Sequence, residues 1–317
     1  MIAFDGTEYF CWQKLGCPQC QTRKRAGGKT DYYHSMLAAT VVAPGHAMAL
    51  PLMPEFIVRQ DGAEKQDCER GAVKRWLAAH AERVRDLRPI YLGDDLFACQ
   101  PVCQAALASG GDFLFTAKPA SHKALYDFMQ GADIEAFSHT RKEGAKRLTW
   151  HYRWFSNVPL REEKPALDVN WLALTICDAK GKTLYNGTFV TSLPLTRQNI
   201  ADIAACACAR ARWKIENEGF NVLKNNGYHL EHNFGHGKQN LAMLFAAMNL
   251  LAFAMHTACD LIEPLWIKAR HAKRARKRFF EHIRTITEYL VFPDWNTLMS
   301  TLITSKPPPE IYKQSAM

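Results

Sequence analysis

Several features of familiar protein classes are missing from this 317-residue sequence. No apolar run reaches the ~20 residues of a membrane-spanning helix. The longest run, residues 241–255, is interrupted by Asn249, and we expect it to form a buried helix. The first residues carry neither the cationic start nor the apolar stretch of a secretory signal. These absences predict a cytoplasmic protein with no membrane partner.

Common catalytic signatures are missing as well. The sequence has no Ser-His-Asp order, no phosphate-binding glycine loop and no dinucleotide fingerprint. Its ten cysteines do not form a disulfide framework, because they are scattered and only Cys17 and Cys20 make a tight pair. This pattern is typical of a reduced compartment.

Acidic residues are too few to balance the basic ones. The sequence has 31 Asp and Glu against 40 Lys and Arg, which gives a net charge of +9. A basic excess of this size indicates a polyanionic partner, with nucleic acid ahead of a membrane surface.

The order of apolar segments predicts an α/β core. Apolar runs at residues 1–4, 32–42 and 47–53 predict three strands, and strand-like and helix-like segments alternate from 61 to 117. Between 140 and 192 the alternation of apolar and polar residues predicts an antiparallel β insertion. A long helix, from Thr196 to about Lys224, should follow it. We expect four parts: 1–139 and 193–262 as the two pieces of the core, 140–192 as the β-rich insertion, and 263–317 as a basic helical segment and tail.

Aromatic side chains alternate along the predicted β insertion. Trp150, Tyr152 and Trp154 occupy every second position, and Trp171 follows on the next strand. Such a row either packs into the core or presents a surface on which an unpaired base stacks. The sequence leaves both interpretations open.

Three acidic positions lie where metal-dependent chemistry favours them. Asp5 is expected to end the first strand, and Asp94, followed by Asp95, ends the strand at residues 89–93. Carboxylates at strand ends of an α/β sheet face the crevice where ligands bind. Glu216 lies on the long helix. Two aspartates and a glutamate offer hard oxygen ligands for Mg²⁺, although any protein with 31 acidic residues contains some chance triad.

Basic residues share the helix face of Glu216. Arg212 precedes it by one turn and Lys224 follows it by two, so all three lie in one row. This arrangement suits a groove in which a metal ion meets a phosphate backbone. Two ions about 4 Å apart can activate a water or a 3′-hydroxyl and stabilise the leaving oxygen of a phosphodiester.

Taken in order, these motifs resemble the bacterial insertion-sequence transposases of the DDE class, in the branch with a β-strand insertion before the last glutamate. Residues 5–7 (DGT) resemble the first catalytic motif, and residues 91–97 (YLGDDLF) resemble the second. Residues 212–216 (RWKIE), with Lys224 downstream, resemble the glutamate helix. The resemblance covers nearly the whole chain. Phe97 lies three residues after Asp94, and this spacing favours Asp94 over Asp95 as the second catalytic position.

The resemblance implies a ribonuclease H-like fold, in which helices flank a mixed sheet and the β insertion precedes the last catalytic helix. It implies DNA strand cleavage and transfer with Mg²⁺ or Mn²⁺ held by Asp5, Asp94 and Glu216. Arg212, Lys214 and Lys224 would belong to the DNA-binding set. The partners would be the ends of a mobile element and target DNA, bound by a homodimer.

Transposases of this kind usually carry a DNA-binding region before the first motif. Here Asp5 lies at the very start of the sequence, so we expect the chain to lack part of its N-terminal side. Two alternatives stay open. The chain is then either a non-catalytic remnant that binds DNA, or a stand-alone nuclease of the same fold.

Two further motifs carry their own hypotheses. Cys17 and Cys20 have the spacing of a zinc knuckle, and His232 and His236 could complete a tetrahedral Zn²⁺ site; the alternative is two free cysteines in a loop. Residues 268–278 carry seven Lys or Arg. Within this run Arg274, Arg276 and Lys277 are candidates for phosphate contacts, against the usual interpretation of a solvated charged helix.

Overall fold

The computed structural model describes residues 1–46, 48–58, 67–144, 146–208, 215–232 and 234–307, with the backbone alone at 207 and 208. The strands are β1 (Ile2–Trp12), β2 (Gln21–Lys24), β3 (Thr30–Val41), β4 (Leu50–Pro51), β5 (Glu55–Ile57), β6 (Ile90–Gly93), β7 (Asp112–Thr116), β8 (Glu135–Glu143), β9 (Lys146–Pro159), β10 (Asp168–Asp178) and β11 (Thr183–Thr191). The helices are α1 (Glu69–Val84), α2 (Gln100–Ala108), α3 (Lys123–Phe128), α4 (Ile200–Cys208), α5 (Asn221–Asn225), α6 (Leu241–Ile262), α7 (Pro264–Lys273), α8 (Arg276–Tyr289) and α9 (Trp295–Thr304). A 3₁₀ turn (Arg85–Leu87) follows α1, and a π-helical segment (Ile215–Phe220) precedes α5.

All eleven strands belong to one sheet, ordered β2-β3-β1-β6-β7-β11-β10-β9-β8, with β4 and β5 paired to β3. Only the pairs β1–β6 and β6–β7 are parallel; the other pairs are antiparallel. The protein is therefore an α/β fold with a mixed, mostly antiparallel open sheet flanked by helices.

The first strand is longer than the sequence predicted. It was expected to end at Asp5, with a turn at Gly6, but β1 continues to Trp12. The reason is its long antiparallel partner, because β3 pairs with β1 from Ile2 to Trp12 across one irregularity near Glu8. Asp5 therefore lies inside a strand and not at its end.

Alternating side chains of β1 enter two different cores. Ile2 and Phe4 pack with Trp76 of α1 on one face of the sheet. Ala3 belongs to the core on the other face, which is completed by Ile215, Phe220 and residues of α6. Since successive side chains of a strand point to opposite faces, Asp5 shares the face of Ala3.

The β-rich insertion extends the main sheet. Strands β8 to β11 continue the sheet beyond β7, and β8 begins at Glu135, ahead of the boundary expected at 140. The aromatic row of this region is buried: Trp150, Tyr152, Trp154 and Trp171 are at most 7% exposed. These rings therefore pack into the cores of the sheet.

The long helix predicted from Thr196 to Lys224 is helical from Ile200 onward wherever the structure describes it. Helix α4 covers Ile200–Cys208, residues 209–214 lie outside the described part, and the π-helical segment Ile215–Phe220 leads directly into α5. Wider π turns appear frequently at functional sites. Here the segment carries Glu216.

Helix α6 is apolar along its whole length. By length and composition alone, it is the one described helix that could cross a membrane. One face, including Ala246, Leu250 and Phe253, is buried in the core, while Leu251 is 64% exposed and Ile262 is 78% exposed. The helix expected to be buried is therefore covered on one side only.

The C-terminal helices form a small core of their own. Trp266 of α7, Phe279 of α8 and Met299 of α9 pack together and are almost fully buried. Glu263 begins this unit by accepting hydrogen bonds from the backbone N–H groups of Leu265 and Trp266.

The burial of Trp154 gives a test of the fold. This side chain is 1% exposed, and we expect Trp154→Ala to lower the free energy of unfolding by about 3–5 kcal/mol through lost burial and a cavity. Leu184→Ala, at a site that is 50% exposed, should change it by less than about 0.5 kcal/mol. Urea unfolding measures both. A W154A variant as stable as the parent protein would contradict the packing of this row.

Candidate functional site

The two predicted aspartates lie side by side. Strands β1 and β6 pair in parallel, with Ile2 opposite Tyr91 and Ala3 opposite Leu92. Continuing this register by two residues places Asp5 opposite Asp94, which follows directly after β6. Neighbouring strands are about 4.8 Å apart. Both residues are half-buried, and the charges of both act on Glu69, so the two carboxylates lie in the same region of the structure.

The adjacent Asp95 has a different role. Its carboxylate accepts hydrogen bonds from the backbone N–H of Lys118, at 2.6 Å, and from the hydroxyl of Ser121. His122 Nε2 lies 3.3 Å from the same carboxylate. Asp95 therefore fastens the loop after β7, which leaves Asp94 as the candidate second ligand.

A third carboxylate, Glu69, joins this pair. It is the first residue of α1, and its side chain lies against Gly6 so closely that a Cβ at Gly6 would overlap the carboxylate. Burial, together with the negative charges of Asp5 and Asp94, raises the pKa of Glu69 to about 7. Glu69 could not be predicted from its sequence neighbours, because its position depends on how α1 packs across β1 and β3.

Glu216 lies on the π-helical segment that precedes α5. The π-helical segment Ile215–Phe220 contacts β1, and both of its end residues are buried in the core on the Ala3 and Asp5 face. Glu216 itself is exposed.

The predicted basic residues fall into different surroundings. Arg212 and Lys214 lie outside the described residues. Lys224 Nζ forms an ion pair with Glu231 at 2.8 Å. Arg274 and Lys277 are exposed, whereas the Arg276 side chain is only 20% exposed and pairs with Asp260 at 2.9 Å.

A second site gathers metal-ligating side chains. Cys17, Cys20, His34 and His236 offer ligand atoms that all lie within 4.8 Å of one another, so this cluster could hold a metal ion. The two sulfurs are 3.7 Å apart, and each lies 3.4 Å from His34 Nε2. His236 Nδ1 is 3.5 Å from Cys20 Sγ and 3.3 Å from His34 Nε2.

His34 takes the place that the sequence analysis gave to His232. His34 lies on β3. Because Gln21 of β2 pairs with Tyr33 of the antiparallel β3, Cys20 lies next to His34. His232 is exposed, and its ring packs on Phe234 with centroids 4.6 Å apart. The spacing of Cys17, Cys20 and His236 indicated three of the four members; the fourth depends on strand pairing.

The electrostatics of the cluster favour a neutral imidazole. Burial, together with the neighbouring His236, lowers the pKa of His34 to about 4. Burial lowers the pKa of His236 as well. Metal ligation requires deprotonated ring nitrogens, so both histidines are held in the form that binds a metal.

The chain matches no protein-family model. No curated protein matches it in sequence either. The carboxylate cluster and the cluster of metal-ligating side chains are therefore the observations on which a functional assignment depends.

The raised pKa of Glu69 predicts a pH effect on stability. Because the pKa is about 7 in the folded protein and ordinarily 4.5, the folded state binds this proton more tightly than the unfolded chain. The free energy of unfolding of metal-free protein should therefore fall as pH rises from about 4.5 to about 7. Glu69→Gln should remove this part of the decline, measured by urea unfolding at a series of pH values in EDTA.

Glu82→Gln is the matched control, since Glu82 is an exposed acid on the same helix. It should leave the pH dependence as in the parent protein. An unchanged pH dependence in E69Q would show that the pKa of Glu69 is not raised in the folded protein.

Proposed function

We propose that this chain is the catalytic domain of a DDE-class DNA transposase with a ribonuclease H-like fold. The observation that carries the proposal is the parallel pairing of β1 with β6, because β1 bears Asp5 and Asp94 follows directly after β6. Their face of the sheet is the one against which the segment of Glu216 packs. The order of an antiparallel pair, β3–β1, followed by the parallel strands β6 and β7 is consistent with such a fold.

The proposal gives the carboxylates a divalent cation as partner. Asp5, Asp94 and Glu69 concentrate negative charge, since the charges of the two aspartates contribute to the raised pKa of Glu69. Among the described residues only the cluster of Cys17, Cys20, His34 and His236 has its ligand atoms within 4.8 Å of one another, so in this proposal the cation draws the carboxylates together when it binds. Oxygen ligands of this kind suit Mg²⁺ or Mn²⁺. In our proposal Asp5, Asp94 and Glu216 hold the metal, and Glu69 adds charge next to Asp5.

The chemistry proposed is cleavage and transfer of a phosphodiester. A divalent ion, when bound, would polarise the phosphate and lower the pKa of an attacking water or 3′-hydroxyl. The chain's own part is positional. In this proposal β1 and β6 position Asp5 and Asp94, and the core residues Ile215 and Phe220 hold the segment of Glu216 against the same face of the sheet.

DNA is the proposed partner. The net charge of +9 favours a polyanion, and Arg274 and Lys277 are exposed for phosphate contacts. We extend the proposal to Arg212, Lys214 and Lys224 on the resemblance alone. The same resemblance suggests a homodimer that acts on the ends of a mobile element and on target DNA in the cytoplasm, at the nucleoid.

Metal-dependent nicking tests the proposal. Asp5→Asn, Asp94→Asn and Glu216→Gln should each lower Mg²⁺-dependent cleavage of duplex DNA by about 10³-fold, since each removes a ligand worth several kcal/mol in the transition state. Glu218→Gln, at another exposed acid of the same segment, is the control and should cleave normally.

The outcomes separate the alternatives. Cleavage that depends on Asp5 without joining of 3′ ends would indicate a stand-alone nuclease. DNA binding without cleavage would indicate a non-catalytic remnant. If E216Q cleaves normally while Glu69→Gln does not, the third ligand is Glu69 and our assignment of Glu216 is wrong.

For the second site we propose a structural Zn²⁺ ion. With Zn–S of about 2.3 Å and Zn–N of about 2.05 Å, a tetrahedral ion needs separations of about 3.8 Å between sulfurs, about 3.6 Å between sulfur and nitrogen and about 3.35 Å between nitrogens. The observed separations of 3.7, 3.4 to 3.5 and 3.3 Å are close to these values. Four protein ligands leave no open position, so the site is structural and not catalytic.

Metal analysis tests this assignment. The purified protein should carry about one equivalent of zinc, and Cys20→Ser or His34→Ala should reduce it several-fold because a ligand is lost. His232→Ala is the control and should keep its zinc. Chelation should lower the free energy of unfolding by several kcal/mol. A parent protein that contains no zinc and does not respond to chelators would contradict the assignment.

A further inference from the structure

We infer that a pocket beside the junction of α7 and α8 binds a phosphate group through Arg270 and Arg274. The pocket has a volume of about 340 Å³. It is lined by Met48, Asp260, Ile267, Arg270, His271 and Arg274. None of these residues belongs to the carboxylate cluster or to the metal-ligand cluster, so this would be a third site.

The charges around the pocket do not balance. Asp260, at the end of α6, accepts hydrogen bonds from Trp266 Nε1 at 2.6 Å and from Arg276 Nη2 at 2.9 Å. Arg270 Nε lies 3.5 Å from the same carboxylate, too far or too poorly aligned to make a hydrogen bond. One carboxylate therefore serves two guanidinium groups, and a net positive charge remains.

Arg270 is a partly buried cation beside the pocket. Its side chain is 17% exposed, and its Nε and Nη1 atoms are fully buried without a hydrogen-bond acceptor among the described residues. Burial lowers the pKa of Arg270, Asp260 raises it, and the nearby Arg276 lowers it. Because two guanidinium groups share the one carboxylate of Asp260, their charge is only partly compensated. An anion in the pocket would offset the remaining charge and contact the exposed part of the Arg270 side chain.

Arg274 adds an exposed guanidinium at the mouth. It ends α7 with φ 59° and ψ −63°, in the left-handed half of backbone space where glycine is normally preferred. A non-glycine residue that is kept in such a conformation suggests that its side chain is used. Its side chain lines the pocket with that of His271.

These donors match a phosphate group better than a simple halide. Guanidinium groups bind phosphate oxygens through parallel N–H bonds, and several oxygens can be shared between two arginines. If the ligand is DNA, the bound phosphate group would be one of its backbone phosphates. That identification rests on the proposed function, whereas the phosphate site itself does not.

Thermal unfolding with inorganic phosphate tests the pocket. In EDTA and at constant ionic strength, phosphate should raise the Tm of the parent protein above its value in chloride. Arg274→Gln should weaken the apparent affinity for phosphate at least tenfold. Arg278→Gln, at an exposed arginine of the same segment that does not line the pocket, should behave as the parent. Equal responses of R274Q and R278Q, or no phosphate effect in the parent, would overturn the proposal.

Arg270→Met separates a binding role from a structural one. If Arg270 serves an anion, R270M should unfold no earlier than the parent in chloride and should lose the response to phosphate. If Arg270 only pairs with Asp260, R270M should unfold earlier and keep the response, which would overturn its assignment. Should R270M fail to fold, the comparison of R274Q with R278Q decides.

Competition identifies the source of the phosphate. Duplex DNA should compete with inorganic phosphate for the parent protein, and R274Q should lower the slope of log affinity for DNA against log salt by about one. If phosphate binds but DNA does not compete with it, the ligand is free phosphate and the assignment to a DNA backbone phosphate is wrong. Because these measurements need no divalent metal, their outcome is independent of the nicking assay.

Discussion

The register between β1 and β6 is the constraint on which the carboxylate cluster depends. The side chains of a strand alternate between faces, so a shift of one residue would turn Asp5 into the aromatic core around Phe4 and Trp76. Pairing with β3 along its whole length prevents such a shift, because moving β1 would break the ladder on that side too. The unexpected length of β1 thus has a consequence for the site: Asp5 is held by a rigid sheet and not by a loop.

The strands around β1 also carry three of the four residues of the metal-ligand cluster. Cys17 and Cys20 lie between β1 and β2, and His34 lies on β3. His236 comes from the connection between α5 and α6, about 200 residues further along the chain. A metal ion there would fasten this connection to the sheet. The segment of Glu216 would then be held at two points, by Ile215 and Phe220 in the core and by His236 beyond α5.

Local sequence patterns predict only those features that depend on residues close together in the chain. Alternating apolar residues located the strands of the β insertion, and Asp94 follows directly after a strand as predicted. Asp5 was predicted at a strand end but lies inside β1. Glu69 and His34 could not be found in this way, since nothing in their own surroundings distinguishes them. Each reaches its site through pairing or packing between segments far apart in sequence: α1 across Gly6 for Glu69, and β3 beside Cys20 for His34. The helix predicted across residues 196–224 assumed a uniform period, which the π-helical segment breaks.

Charge was the weakest guide to individual residues, because a net value does not say which charges face solvent. The basic run at 268–278 looks uniform in sequence, yet Arg276 lies inside, bound to Asp260, while Arg274 and Lys277 are exposed. Arg270 is the informative member. A surface arginine is solvated wherever it lies, but a buried one requires an acceptor. Asp260 already serves Arg276 and Trp266, so the fold holds one more buried cation than the described residues neutralise. In a protein with an excess of basic residues, such an interior imbalance points to a specific anion site more directly than the net charge does.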